Sequence, residues 1–225
     1  MDNPWQEYFE RTNLNKFHPR DEAHAIAFNS AIKGRKNYEL AGHLEPFPFL
    51  GNPEAPVFVL LANPGKSGAE EKKSFSYSTK KLELHKKNLL HQGISDFSLR
   101  LNSPSDRSLE SPYFKQRTAR LIEETSVDSI AQNVFFINFH GYHSKSWYPI
   151  PFIFYSQHYS FYLVKKAVLR GALVVMSRNT TGWVTAIPEL MNYANRSTFV
   201  SSRSVHLSEK NLTTKVFKRI LTLVQ

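Results

Sequence analysis

Cysteine is absent from the 225 residues, which removes disulfide scaffolds, cysteine-ligated zinc, iron–sulfur clusters and thiol nucleophiles together. Any chemistry here is done without a thiol. Acidic residues are also in short supply: 19 Asp and Glu stand against 29 Lys and Arg, a formal charge of +10 with a pI near 9.7. That balance favours a polyanionic partner such as nucleic acid over a membrane surface. Long apolar runs are missing, each being interrupted by polar residues well before the roughly 18 needed for a membrane span. The opening MDNPWQEYFERTN carries acidic and polar residues where a signal peptide needs a basic start and an apolar run, so a cytoplasmic location is expected. Repeats and low-complexity tracts are lacking, and Pro and Gly fall at punctuation points instead of forming a linker. A single domain over 1–225 is expected, with 1–50 as an N-terminal helical extension.

What is present is material for a core: 41% hydrophobic and 13% aromatic residues, enough to exclude a disordered chain. Pro56 to Ala62 (PVFVLLA) is a continuous, β-branched apolar run stopped by Asn63-Pro64-Gly65, the pattern of a strand buried on both faces. Asn133 to Asn138, Ala172 to Met176 and Ser197 to Ser201 have the same character. Helical periodicity covers Asp21 to Lys33, Thr79 to His91, Pro112 to Thr125, Tyr155 to Arg170, Trp183 to Asn192 and Glu209 to Leu223. Strands alternating with helices predict right-handed crossovers and an α/β class, three-layer α/β/α with a central, mainly parallel four-stranded sheet. Ligands of such sheets bind beyond the carboxyl ends of the strands. Those ends direct attention to Asn63 onward, Asn138 onward and Ser201 onward.

Gly65-Lys66-Ser67 has the ending of a phosphate-binding loop, but the position that should hold that motif's first glycine is Leu60, inside the strand. No glycine cradle forms. A different likeness fits: an apolar strand ending in Asn63-Pro64-Gly65, then Lys66-Ser67-Gly68, resembles the first motif of the uracil-DNA glycosylase superfamily, above all its mismatch-specific and single-strand-selective branches. Phe75 lies where that family places the aromatic that stacks on the extruded base. The second strand ends in Asn138, where the family has an asparagine reading the base edge, and Ser201-Ser202-Arg203-Ser204 followed by a helix is similar to its second motif.

The resemblance implies a monofunctional glycosylase that flips a pyrimidine-type base and hydrolyses its N-glycosidic bond, with no cofactor and no metal. It implies that Asn63 orients the attacking water, Asn138 hydrogen-bonds the base and Phe75 stacks on it. Lys66, Ser67, Ser201, Ser202, Arg203 and Ser204 would hold DNA through phosphates. A monomer acting on duplex or single-stranded DNA is expected. One departure stands out: an ungapped match puts Phe199 where the second motif usually has a His or Asn on the base carbonyl. The run after the second strand, with His140, Tyr142 and His143, is the expected source of a replacement polar group. In the uracil-specific branch an aromatic follows the motif's proline and blocks bulk at pyrimidine C5. Gly65 leaves that gate open, so uracil, a 5-substituted uracil or a hypermodified cytosine of the kind phages carry all remain candidate substrates, in DNA repair or in antiviral defence. Two other classes stay open, a non-catalytic DNA-binding module on the same fold and a small-molecule α/β hydrolase, although no Gly-x-Ser-x-Gly elbow occurs.

Overall fold

The computed structural model describes residues 1–10, 16–66, 70–71, 77–102 and 113–225. Five strands build one sheet: β1 (Phe49–Leu50), β2 (Val57–Leu61), β3 (Val134–Asn138), β4 (Leu173–Met176) and β5 (Arg196–Thr198), in the order β1-β3-β2-β4-β5. Three of the expected apolar runs pair in parallel, β2 with β3 from Val57↔Val134 to Leu61↔Asn138, and with β4 from Val57↔Leu173 to Leu60↔Met176, while the fourth, expected as a buried run over Ser197 to Ser201, is corrected to β5 at Arg196–Thr198, an exposed to half-buried edge strand parallel to β4. The expected four-stranded sheet is corrected to five by β1, which runs antiparallel to β3 inside the Pro-rich 45–56 segment. Two residues carry no periodicity of their own, so the partner strand defines this one. The putting of Phe49–Leu50 in the sheet also means that part of 1–50 belongs to the sheet itself.

The helices are α1 (Trp5–Glu10), α2 (Glu22–Ala31), α3 (Thr79–Leu89), α4 (Ser95–Asn102), α5 (Tyr113–Glu124), α6 (Val127–Asn133), α7 (Gln157–Leu169), α8 (Thr180–Ala186) and α9 (Thr214–Val224). Ser78, Ser126 and Thr213 cap α3, α6 and α9 by accepting from the backbone N–H three residues on. The expected helix from Glu209 starts later because the Asn211 side chain is committed elsewhere. It accepts from Ser201 N at 2.8 Å and donates to the Ser204 carbonyl, which holds 201–211 as a turn. Past α8, Pro188 lacks the N–H an α-helix needs and a 3-10 turn (Pro188–Leu190) follows.

Alternate residues of β2 enter two hydrophobic clusters, as the two-residue side-chain period of a strand requires. Val57, Val59 and Leu61 pack with Phe97, Leu121, Ile130, Phe217 and Ile220, while Phe58 and Leu60 pack with Trp5, Leu89, Val164 and Trp183. A third cluster joins Phe17, Ala25 and Phe28 to Tyr142 and Phe154. Among the described residues no helix is long and apolar enough to cross a membrane. Successive parallel strands step from β2 to β3 on one side, then to β4 and β5 on the other, so the strand order reverses between β2 and β4. That reversal opens a crevice at the carboxyl ends.

Candidate active site

A pocket of about 380 Å³ lies at that edge, floored by the ends of β2, β3 and β4. It is small for a ligand site and suits one flat ring system. Of the residues expected at the site, it brings together Asn63, Gly65, Lys66, Asn138, His143, Ser202 and Arg203. Ser67 and Phe75 lie outside the described residues. Ser201 and Ser204 sit beside the pocket without lining it, in the turn that Asn211 pins.

Asn63 follows β2 by two residues, and its amide orientation is fixed by counting protons. Ser144 Oγ donates its single hydrogen to the Ser146 carbonyl at 3.1 Å, so toward Asn63 it accepts, at 2.9 Å from Nδ2. The Pro64 and Ser144 carbonyls take the same Nδ2 at 3.2 and 3.3 Å. Oδ1 is thereby left as the acceptor.

Asn138 closes β3 and is 2% exposed. Its Nδ2 donates to the Phe47 carbonyl at 2.8 Å and its N–H to the Pro48 carbonyl at 2.7 Å, whereas Oδ1 is buried with no partner among the described residues. The antiparallel β1 approach therefore sets which way this amide faces. His143 shows the same asymmetry: Nδ1 lies 2.6 Å from the Gly65 carbonyl, and Nε2 is buried without a partner. A carbonyl can only accept, so Nδ1 carries the hydrogen and Nε2 of the neutral ring presents a lone pair. Burial lowers the His143 pKa below the ordinary 6.5, with Glu70 and the Gly65 carbonyl opposing and His85 and Arg100 adding to the effect. At neutral pH the ring is an acceptor.

His140 and Tyr142, expected beside His143, do not reach the pocket. His140 stacks on Trp147 with ring centroids 5.4 Å apart, and its Nδ1 accepts from Tyr142 N. Tyr142 turns into the third cluster and donates to Asp21 Oδ2 at 2.6 Å, while Asp21 Oδ1 accepts from Tyr155 N at 2.6 Å. Tyr142 thereby staples the loop to the N-terminal segment, and His140 packs within the loop itself. Phe199 is buried in the first cluster, consistent with its being no polar substitute. Burial, with a lesser push from His143, lowers the His140 pKa to about 3. The unfolded chain takes up this proton near 6.5, so stability is lost as pH falls through that value. Between pH 7 and 5 His140 is expected to account for about 2 kcal/mol of lost stability. Urea unfolding of His140→Phe at the two pH values checks this: the pH-induced difference should shrink by that amount, and an unchanged difference would assign the acid sensitivity elsewhere.

Among the described residues seven basic side chains line the pocket, Lys66, Lys81, Arg100, Arg117, Lys145, Arg178 and Arg203, against the single carboxylate Glu70. Arg100 is fixed by Asp96 at 3.1 Å and lies over the Phe47 ring at 4.8 Å. Burial pushes the Asp96 carboxyl up, but Arg100 and His85 outweigh it and hold the group at about 2. Arg178 was missed by sequence reading although it follows β4 at the same sheet edge, so the rule applied to the other strand ends would have found it. Phe47, Tyr77, Tyr113 and Phe114 supply aromatic walls, but they arrive from the segments just before β1 and α3 and from the start of α5 through tertiary packing, which leaves no local signal. No protein-family model, no curated protein and no solved structure matches the chain.

Proposed function

We propose that the chain is a monofunctional DNA glycosylase of the uracil-DNA glycosylase type, built as a three-layer α/β/α sandwich, that excises a pyrimidine-type base and tolerates substituents at C5. The observation that carries the reading is the pocket's composition: lining residues that carry buried acceptors with unmet hydrogen-bonding capacity, together with seven basic side chains. The acceptors suit a neutral heterocycle, and the basic side chains suit the phosphates on either side of it.

In the proposed reaction the base leaves with the electron pair of the C1′–N bond, and an oxocarbenium-like sugar develops. Asn63 Oδ1 accepts a hydrogen bond from a water and aims its oxygen at C1′. An asparagine is too weak a base to keep the proton, which passes on to solvent or to the departing base. Charge on the leaving base is offset by the cationic field of Arg100, Arg117 and Arg178, whose effect is greatest where water is excluded. The loop carrying Ser202 and Arg203 grips the backbone.

The test is incubation with DNAs that each carry one modified base, followed by alkaline cleavage at abasic sites. Strand breaks at the modified position are expected. DNA binding that falls steeply between about 50 and 200 mM salt, with no breaks on any substrate, would leave the non-catalytic module in its place. Binding without salt dependence would instead favour the small-molecule hydrolase. In the same titration Arg203→Ala should reduce the salt slope by about one, which an unaltered slope would contradict.

A further inference from the structure

Two residues that line one pocket each carry a buried acceptor with no hydrogen-bond partner among the described residues: Asn138 Oδ1 on a residue 2% exposed and His143 Nε2 on a residue 6% exposed. Each is committed to that role by a bond on its other side. Asn138 Nδ2 is held by the Phe47 carbonyl, and His143 Nδ1 by the Gly65 carbonyl. An amide flip of Asn138 or the other tautomer of His143 would set a lone pair against a carbonyl oxygen, and a ring flip of His143 would put a C–H in place of the N–H that the Gly65 carbonyl holds, so none of these relieves the mismatch. A ligand that fits therefore brings hydrogen-bond donors.

Pyrimidines differ in this respect along one edge, at C4 and N3. A cytosine-type base carries at C4 an amine with two hydrogens, one for each acceptor. A uracil-type base carries at C4 a carbonyl oxygen, which would be set against two lone pairs, and its N3–H can satisfy one acceptor at most. We infer that the pocket selects a base with an exocyclic amine on its reading edge, making the substrate class a cytosine-type base substituted at C5 and not uracil. This rests on the glycosylase reading for its substrate, and it runs against the uracil preference that the family resemblance implies. Unmodified cytosine is part of normal DNA, so the C5 substituent, admitted beside Gly65, supplies the discrimination that the amine edge cannot.

The decisive comparison uses 5-hydroxymethylcytosine and 5-hydroxymethyluracil placed singly in the same DNA sequence, since the pair differs only in the C4 group and the N3 proton. Wild-type protein is expected to release the cytosine form at least about tenfold faster, the scale set by leaving a buried acceptor unpaired. His143→Phe should bring the ratio of the two rates toward one. Because both rates come from one preparation, the ratio is independent of the fraction folded. Equal or faster release of 5-hydroxymethyluracil would overturn the inference while leaving the glycosylase reading standing. Should neither base be released, the glycosylase reading falls, and calorimetric titration with free cytidine and uridine decides the inference alone: tighter cytidine binding supports it, and equal or weaker binding overturns it.

Discussion

Replacing Asn63 with alanine is expected to lower the single-turnover rate of base release about a hundred- to a thousandfold, with DNA affinity kept within a few-fold. The side chain belongs to a pocket-lining residue whose Nδ2 is spent on Ser144 and on the Pro64 carbonyl, which leaves Oδ1 as its free-facing acceptor for a water in the proposed chemistry. An uncharged amide neutralises no phosphate, so the contacts that set affinity do not pass through it. Its removal should therefore act on the rate constant and not on the salt-dependent binding step. The loop 144–146 loses a tether at the same time, and Ser144→Ala separates the two effects, since it removes the shortest of the three contacts of Nδ2 without deleting Oδ1. An intermediate rate is expected for Ser144→Ala, with both variants melting within a few degrees of wild type. Unchanged turnover in Asn63→Ala would remove this residue from the proposed chemistry.

The sheet edge was legible in the sequence because burial on both faces writes itself as an unbroken apolar run. β2, β3 and β4 lie where VFVLL, VFFIN and LVVM stand, and the polar residues that stop those runs are the ones that line the pocket. β1 was not legible, since a two-residue strand exists only through its partner. The helices α1, α4 and α6 were missed for a related reason: they are short, of six to eight residues, and their buried positions show too few turns for a period to emerge. The loop after β3 shows the limit at the level of one side chain. His140 and His143 are alike in sequence, but only His143 has a carbonyl of the first motif within reach of Nδ1. His140 meets Trp147 instead. Which of two histidines faces a cavity depends on what packs behind each, and that partner comes from a distant segment.

Gly65→Tyr is expected to reduce release of C5-substituted bases by more than about a hundredfold, since even small additions to a ligand's bulk are worth tens of fold in a fitted pocket. The glycine is exposed at the pocket wall, and a Cβ built on it meets no atom within 4 Å. Its φ lies outside the left-handed region, so no backbone strain obliges a glycine there. What the residue provides is therefore the absence of a side chain. Its carbonyl is held by His143 Nδ1, so a ring introduced at 65 grows from an anchored backbone and cannot swing away with the loop. Gly65→Ala serves as the control, because a methyl group enters open space; its rate should stay within about twofold of wild type. Binding of unsubstituted cytidine should survive in Gly65→Tyr, since the acceptors at Asn138 and His143 are untouched and only the C5 side is closed. Two results would refute the open gate: release of C5-substituted bases by Gly65→Tyr at the wild-type rate, or a wild-type protein that releases unsubstituted uracil and ignores every C5-substituted pyrimidine.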